Sequence, residues 1–304
     1  MSVVAATPKS PLTRRNDRLG RRKVVNRCME LLAMSAAAIG VAILGIVVYK
    51  IVRYGAAALN WDLFTRGQIP FAPPEFPQGL ANAFAGTIVI VGLAGAMGIP
   101  YGILVAIYLV EFAPRRVRSF VSLILDVLMG IPAIALGIFY YGLLVLSFHD
   151  TQRAFWASIA LATMMIPLVA RSTMEILLLV PSSLREASLG LGIPRWRTTL
   201  GIVLPQAVGG IVTGSILAVS RIAGEAAPLL FLSVLGSNNV DWNPLHPLAS
   251  VPLSILGLAE SPYPEDHARA WAAAFVLLSF IMVANLGARW LANRSKRKLG
   301  RISA

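Results

Sequence analysis

The sequence predicts an all-α membrane protein with six transmembrane helices. Of its 304 residues, 57% are apolar and only 13% are charged, whereas soluble domains carry roughly 25% charged residues. Several apolar runs reach about 20 residues, the length needed to cross a bilayer as a helix. The net charge is +13, but the basic residues cluster beside the apolar runs, which is typical of a topology signal and argues against nucleic acid as a partner.

Six apolar runs define the predicted spans, and they cover residues 29–52, 82–110, 119–147, 154–180, 205–235 and 270–292. The first run exceeds the roughly 7–15 residues of a signal-peptide core, so it is interpreted as an uncleaved first helix. Gly130 and Pro132 interrupt the third run, a break that membrane helices tolerate when neighbours supply hydrogen-bond partners.

Orientation follows from the basic residues. Residues 1–27 hold eight of them and residues 294–301 hold five, so both termini are predicted on the cytoplasmic side. This divides the chain into a basic tail (1–28), a first helix with a Pro-rich external loop (29–81), a core (82–290) and a second basic tail (291–304). The single Cys28 excludes an intrachain disulfide.

The cytoplasmic loop 181–205 is predicted to form a helix–turn–helix. Ser183 and Glu186 have capping-box spacing, which predicts a helix that starts at Ser183. Gly190 and Gly192 would end that helix, and Pro194 suits the first position of a second short one. Residues 204–205 would then begin the next span. A rigid, partly apolar knob of this kind suits the transmission of force to a partner.

This loop resembles the EAA loop of ABC-importer permeases. The motif positions are filled by Glu186, Ala187 and Ser188, then Gly192, then Ile202, Leu204 and Pro205. The one departure is Ser188, where alanine is usual. The resemblance implies a type I ABC importer permease fold and coupling to a separate ATPase, and the implied coupling residues are Glu186, Ala187, Gly192, Leu204 and Pro205. The sequence contains no G-x-x-x-x-G-K-[ST] motif, so ATP and Mg²⁺ are expected on the partner chain, with no cofactor on this one.

Two predicted spans carry charges inside their apolar runs. Arg171 and Glu175 form one i,i+4 pair, and Arg221 and Glu225 form another. Each such charge costs about 2.5–3.5 kcal/mol on insertion scales. Each arginine could neutralise its own glutamate, or the charges could line an anion path, because the guanidinium fork matches oxyanions. Asp126 in the third run is either a structural hydrogen-bond acceptor or a path-lining group.

A narrower resemblance concerns the same charges. The run from Arg221 to Leu230 is similar to the R-x-x-G-E-T-A-P-L-L run of phosphate-importer permeases of the PstA type, and the residues around Pro132 and before Arg171 resemble two further motifs of that family. Ala226 and Ala133 stand where threonine and serine are usual. The resemblance implies a permease subunit of an ATP-driven importer of inorganic phosphate in the bacterial cytoplasmic (inner) membrane. Its implied partners are a PstC-like second permease, ATPase subunits and an external phosphate-binding protein, in addition to phosphate and membrane lipid.

Two alternatives stay open at this point. The chain could be a permease for another oxyanion, such as sulfate or molybdate, although Glu225 argues against a fully ionised cargo. It could instead be an ion-coupled secondary transporter, in which the loop 181–205 would have no partner. No enzymatic activity is expected on this chain. No metal site is expected either, because the sequence lacks clustered His, Cys and carboxylate ligands.

Overall fold

A computed structural model describes residues 17–68, 78–233 and 239–300, and within these ranges the chain is helical without strands, as predicted. The helices are α1 (Asp17–Ala57), α2 (Asp62–Thr65), α3 (Ala81–Ile107), α4 (Arg115–Gly130), α5 (Ala133–Tyr140), α6 (Ala154–Leu178), α7 (Ser182–Gly190), α8 (Arg195–Thr198), α9 (Leu204–Ile222), α10 (Leu229–Leu232), α11 (Val251–Ala259) and α12 (Pro264–Gly300). Wide π-helical turns extend α3 and α5 and join α8 to α9; they cover Tyr108–Phe112, Tyr141–Leu146 and Thr199–Val203. The prolines of the predicted Pro-rich loop lie outside the described residues.

Among the described residues, five helical segments are long and apolar enough to cross a membrane: Arg21–Ala57, Ala81–Phe112, Ala154–Leu178, Arg195–Ile222 and Pro264–Gly287. A sixth is reached if Arg115–Gly130 and Ala133–Leu146 count as one span, but these two segments are bent by 97°. The break falls at Ile131 and Pro132, where Gly130 and Pro132 were expected to interrupt the third span. Ile131 is extended, with ψ at 129°, because the residue before a proline avoids the helical region.

The chain divides into two units, residues 1–52 and residues 53–304. In the first unit, the side chains of residues 21–50 along α1 are exposed and predominantly apolar from residue 31 onward. Such a surface suits contact with lipid tails.

In the second unit, α6 is the central helix. Gly98 and Gly102 of α3 face Met165 and Val169 of α6 in the same order, so α3 and α6 run parallel. A Cβ atom at Gly102 would lie 2.8 Å from the Cβ atom of Val169 and 3.0 Å from the carbonyl oxygen of Ile166. Glycine therefore permits this close helix approach, as small residues do in membrane bundles.

Helix α9 packs antiparallel against the same α6. Gly210 faces Ile176, whereas Gly214, four residues later, faces Ser172. The last turns of α3 and α6 therefore lie at the same end of the bundle, and the chain enters α9 from that end. This arrangement places the loop between α6 and α9 beside the C-terminal end of α3.

Candidate functional site

The helix–turn–helix between α6 and α9 is present. Helix α7 begins at Ser182, directly after Pro181, and no side chain caps its first turn, so the predicted capping box at Ser183 is wrong. Gly192 in the turn has φ of +77°, a left-handed conformation that L-residues with a Cβ atom rarely adopt. We call residues 182–198 the knob.

A buried hydrogen bond joins the two helices of the knob. The hydroxyl groups of Ser188 on α7 and Thr198 on α8 are 2.8 Å apart, and the two residues are 2% and 4% exposed. The hydroxyl of Ser188, which replaces the usual alanine of the motif, is therefore used structurally. It gives the buried hydroxyl of Thr198 a hydrogen-bond partner. With alanine at position 188, that hydroxyl would keep only its longer bond, 3.4 Å, to the carbonyl oxygen of Pro194.

The knob also contacts the bundle through an ion pair that no sequence pattern indicated. Arg185 of α7 donates to both carboxylate oxygens of Glu111, which lies in the π-helical turn at the end of α3, with distances of 2.8–3.2 Å. The same guanidinium donates to the carbonyl oxygens of Leu177 and Val180 at the end of α6. Arg185 and Glu111 are 74 residues apart, and no local pattern marks such a pair.

The outer surface of the knob combines charge with apolar groups. Glu186 and Ala187 are exposed, and so are Leu191 (80%) and Trp196 (53%). Exposed large apolar side chains grouped on a projecting element are typical of a protein contact.

Helix α9 begins at Leu204, where the fifth span was predicted to begin, and helix runs without interruption through this point from Arg195 to Ile222. The π-helical turn Thr199–Val203 precedes Pro205. A proline inside a helix lacks one N–H donor and clashes with the carbonyl four residues earlier, and a wider turn relieves that clash. Leu204 packs against the core beside α6, and Pro205 is exposed. Helix α8 of the knob is thus continuous with α9, so the two move as one helix.

Arg171 does not pair with Glu175. Its guanidinium instead forms an ion pair with Asp126 of α4 and donates to the carbonyl oxygen of Ser122 at 2.9 Å. Glu175 is exposed and makes no ion pair within the described ranges. The interpretation of Arg171 and Glu175 as a self-neutralising pair is therefore wrong. Asp126 links α4 to α6, and the buried Nε atom of Arg171 has no hydrogen-bond partner among the described residues.

Arg221 and Glu225 do not share a helical face. Helix α9 ends at Ile222, so Arg221 lies in its last turn and Glu225 in the following turn segment before α10. Arg221 is exposed and Glu225 half-buried, and neither makes an ion pair in the part of the chain that the structure describes. Gly214 lies opposite Ser172, so Arg221 is about 10 Å farther along the bundle than Ser172 at 1.5 Å per residue. The two arginines thus occupy different levels of the bundle.

Two loop carboxylates lie at the other end of α6 from the knob. Asp150 accepts the backbone N–H of Thr151 at 2.8 Å and a bond from Arg153, and chiefly the Thr151 N–H holds the pKa of Asp150 below its usual value. The backbone N–H of Asn243 acts in the same way on the pKa of Asp241. Both groups therefore stay negatively charged near neutral pH.

Comparisons with known proteins agree with this architecture. Residues 98–297 match the sequence profile of the binding-protein-dependent transport system inner membrane component. The phosphate transport system permease protein PstA of Xylella fastidiosa (strain Temecula1) is 37% identical over 278 residues, 91% of this chain and 95% of that protein. PstA of Haemophilus influenzae is 36% identical over 279 residues, 91% of this chain and 97% of that one.

Solved structures of ABC importers share the fold. A bacterial ABC transporter involved in the import of the acidic polysaccharide alginate superposes with a TM-score of 0.61 at 17% identity, over 90% of this chain and 98% of that chain. The MetNI methionine ABC transporter in an inward-facing conformation gives a TM-score of 0.54 at 19% identity, over 70% of this chain and 93% of that chain. At these identities the likeness concerns the fold alone. Together with the matches to the PstA proteins, the family profile shows that the chain belongs to the PstA family of phosphate transport permeases, multi-pass inner-membrane components of binding-protein-dependent ABC transport systems.

Proposed function

We propose that this chain forms half of the path along which an ABC importer moves inorganic phosphate inward, and that Arg221 is the principal anion-binding group of that path. The observation that carries the proposal is the exposed guanidinium of Arg221 at the end of α9, which has no carboxylate partner among the described residues. An unneutralised arginine in an apolar bundle is costly, and a phosphate oxyanion would supply the missing charge.

Glu225 gives this site its preference for phosphate. It lies in the turn segment directly after α9, close in sequence to Arg221. A glutamate carboxylate accepts a hydrogen bond from the OH group of a protonated phosphate but repels an anion without a proton, such as sulfate or molybdate. A permease for those oxyanions is therefore the less favoured alternative, and membership of the PstA family argues against an ion-coupled secondary transporter.

Arg171 and Glu175 would act at a second level of the path. Arg171 lies nearer the knob than Arg221 does, so an anion released from Arg221 toward that end would next approach Arg171. There Asp126 occupies part of the guanidinium, and the anion would have to displace it. Glu175 would add repulsion that promotes release.

The proposed topology has six spans in a type I importer fold with both termini in the cytoplasm. The exposed surface of the knob includes Glu186, Ala187, Leu191 and Trp196. This surface would dock on an ATPase subunit that carries the ATP and Mg²⁺. Gly192 sets the turn, and Leu204 and Pro205 continue the knob into α9. A PstC-like permease would complete the path, and an external phosphate-binding protein would deliver the cargo in alternating access.

Uptake of radiolabelled phosphate tests the proposal, in cells that lack their own permease gene and carry this chain with its partner subunits. Arg221→Ala should lower uptake by about thirtyfold or more, because charge-assisted hydrogen bonds to the anion are lost, while the ATPase still co-purifies. Glu186→Ala should lose both uptake and co-purification. Arg66→Gln, which breaks an exposed ion pair with Asp62, serves as the control. A wild-type chain that captured no ATPase would refute the proposal.

A further inference from the structure

We infer that Arg185 and Glu111 form a clamp that makes α7 move as one body with the ends of α3 and α6, and that this clamp transmits the stroke of the ATPase to the transport path. The inference rests on the proposed function, because it assumes that the outer face of α7 meets the ATPase. Arg185 directly precedes Glu186 in α7. Glu186 is exposed, whereas the side chain of Arg185 is 21% exposed and reaches the bundle.

The contacts of the clamp engage every nitrogen of the guanidinium. Its Nε atom lies 3.1 and 3.2 Å from the two oxygens of Glu111, and Nη2 lies 2.8 Å from one of them. Nη1 donates to the carbonyl of Val180 at 2.7 Å, and Nη2 also donates to that of Leu177 at 2.9 Å. The Glu111 side chain is 10% exposed. Planar arginine–carboxylate contacts fix orientation as well as distance, so α7 cannot rotate freely against the bundle.

Three elements meet at Arg185, and Glu111 on one of them is 74 residues away in sequence, whereas Leu177 is eight residues away. Glu111 belongs to the last turn of the α3 segment, Leu177 to the last turn of α6, and Arg185 to α7. The last carbonyl groups of a helix lack intrahelical donors and attract positive charge, so the end of α6 is a natural acceptor for a guanidinium. Without the clamp, no ion pair would tie α7 to α3, and α7 would be joined to the end of α6 by the chain through Pro181 and by the packing of Leu184, so we expect it to hinge at Pro181 when pushed.

The clamp gives the knob a second route to the path. The first route is covalent, through α8 and α9 to Arg221. The second passes from Arg185 to the end of α6, and Arg171 lies six residues before Leu177, or about 9 Å along that helix. A displacement of α7 would therefore reach both arginines together. Alternating access requires that both arginines respond at the same time, because one level of the path has to close while the other opens.

The function of the clamp is tested by the coupling ratio, the number of phosphate ions taken up per ATP hydrolysed. The complete importer would be reconstituted in proteoliposomes as wild type, Glu111→Gln, Arg185→Lys and the control Arg66→Gln. Glu111→Gln removes the charge of the acceptor, and Arg185→Lys keeps the charge but loses the fork. Both should lower the ratio by about tenfold while the ATPase stays bound, and the control should match wild type. A wild-type ratio in both clamp variants would overturn the inference, because a merely structural role would lower the amount of complex rather than its coupling ratio.

A distance measurement decides the question even if a clamp variant fails to assemble. Spin labels at Ser183 of α7 and at Phe112 beside Glu111, in a Cys28→Ser background, would be compared without nucleotide and with trapped ATP. The clamp predicts that their distance changes by less than about 2 Å, the scale of small helix shifts. A larger change would mean that α7 hinges and would overturn the inference. The measurement requires no cargo, so a wild-type importer that moved no phosphate would refute the proposed function while the labels still decided the clamp.

Discussion

The knob and the charges in the bundle are built in opposite ways. In the knob and its attachment, polar groups are satisfied internally: Arg185 is held by Glu111 and two carbonyl oxygens, and Ser188 by Thr198. In the bundle, Arg221 lacks an ion-pair partner among the described residues, and Arg171, although paired with Asp126, keeps a buried Nε atom without a hydrogen-bond partner there. This difference agrees with the proposed roles: a force-transmitting knob has to resist bending, whereas a path around Arg221 needs donors that are still available to a ligand.

The strongest test of this contrast is Gly192→Val in the turn of the knob. With φ at +77°, a β-branched residue would cost roughly 2–3 kcal/mol there, and the turn would change conformation and move the docking surface. Phosphate uptake should fall about thirtyfold, and the ATPase should no longer co-purify.

Two matched variants show whether the conformation of Gly192 is the cause. Gly192→Asn should retain most of the uptake, because asparagine tolerates the left-handed region. Gly190→Ala should be neutral or slightly stabilising, since Gly190 is helical and a Cβ atom there would meet open space. If all three variants behaved alike, the rigidity of the turn would be irrelevant to docking.

The charges in the bundle are tested by Asp126→Asn, which alters the surroundings of Arg171. The carboxylate of Asp126 competes with any anion for Arg171, and its removal should lower the KM for phosphate by about fivefold, as expected for the loss of one neighbouring charge in a well-hydrated site. The asparagine carbonyl can still accept a hydrogen bond from Arg171, so the fold should persist. Initial uptake rates over a range of phosphate concentrations give the KM.

Glu260→Gln is the control for that experiment. Glu260 lies at the end of α11, outside the proposed path, is exposed, and takes part in no ion pair within the described ranges. Its neutralisation should leave the KM within about twofold, because screened, exposed charges contribute little. An equal change of KM in the two variants would mean that net charge acts, and not the contact between Asp126 and Arg171.

The sequence predicts the knob better than it predicts the charges in the bundle. The knob was predictable because its signals are local: a glycine where the turn needs positive φ, and a proline before the second helix. The end of α9 at Ile222 was missed because a hydropathy run does not distinguish a helix from an apolar turn. Gly224 and Pro228 follow that end closely, and they are the stop signals that could have located it.

The remaining differences concern tertiary contacts. Pro132 predicts a break in the third span, but nothing local gives the direction of the 97° bend. Glu111 and Arg185 are 74 residues apart, and Asp126 and Arg171 lie on different helices. Such pairs depend on how α3, α4 and α6 pack, so the residue types are visible in the sequence while their partners are not.

The smallest expected effect is on the stability of the knob, when the hydroxyl groups of Ser188 and Thr198 are removed singly and together. Ser188→Ala restores the usual residue of the motif but leaves the buried hydroxyl of Thr198 with the weak 3.4 Å bond to the Pro194 carbonyl, whereas Thr198→Val leaves Ser188 without its partner. Each single change should destabilise the knob by about 1 kcal/mol, and the double change should cost less than the sum of the two. The melting temperatures of the purified complex give this comparison, and uptake should stay within about twofold because the docking surface is unaltered. Strictly additive shifts would show that the two hydroxyl groups act independently and that the serine of this motif has no structural partner in α8.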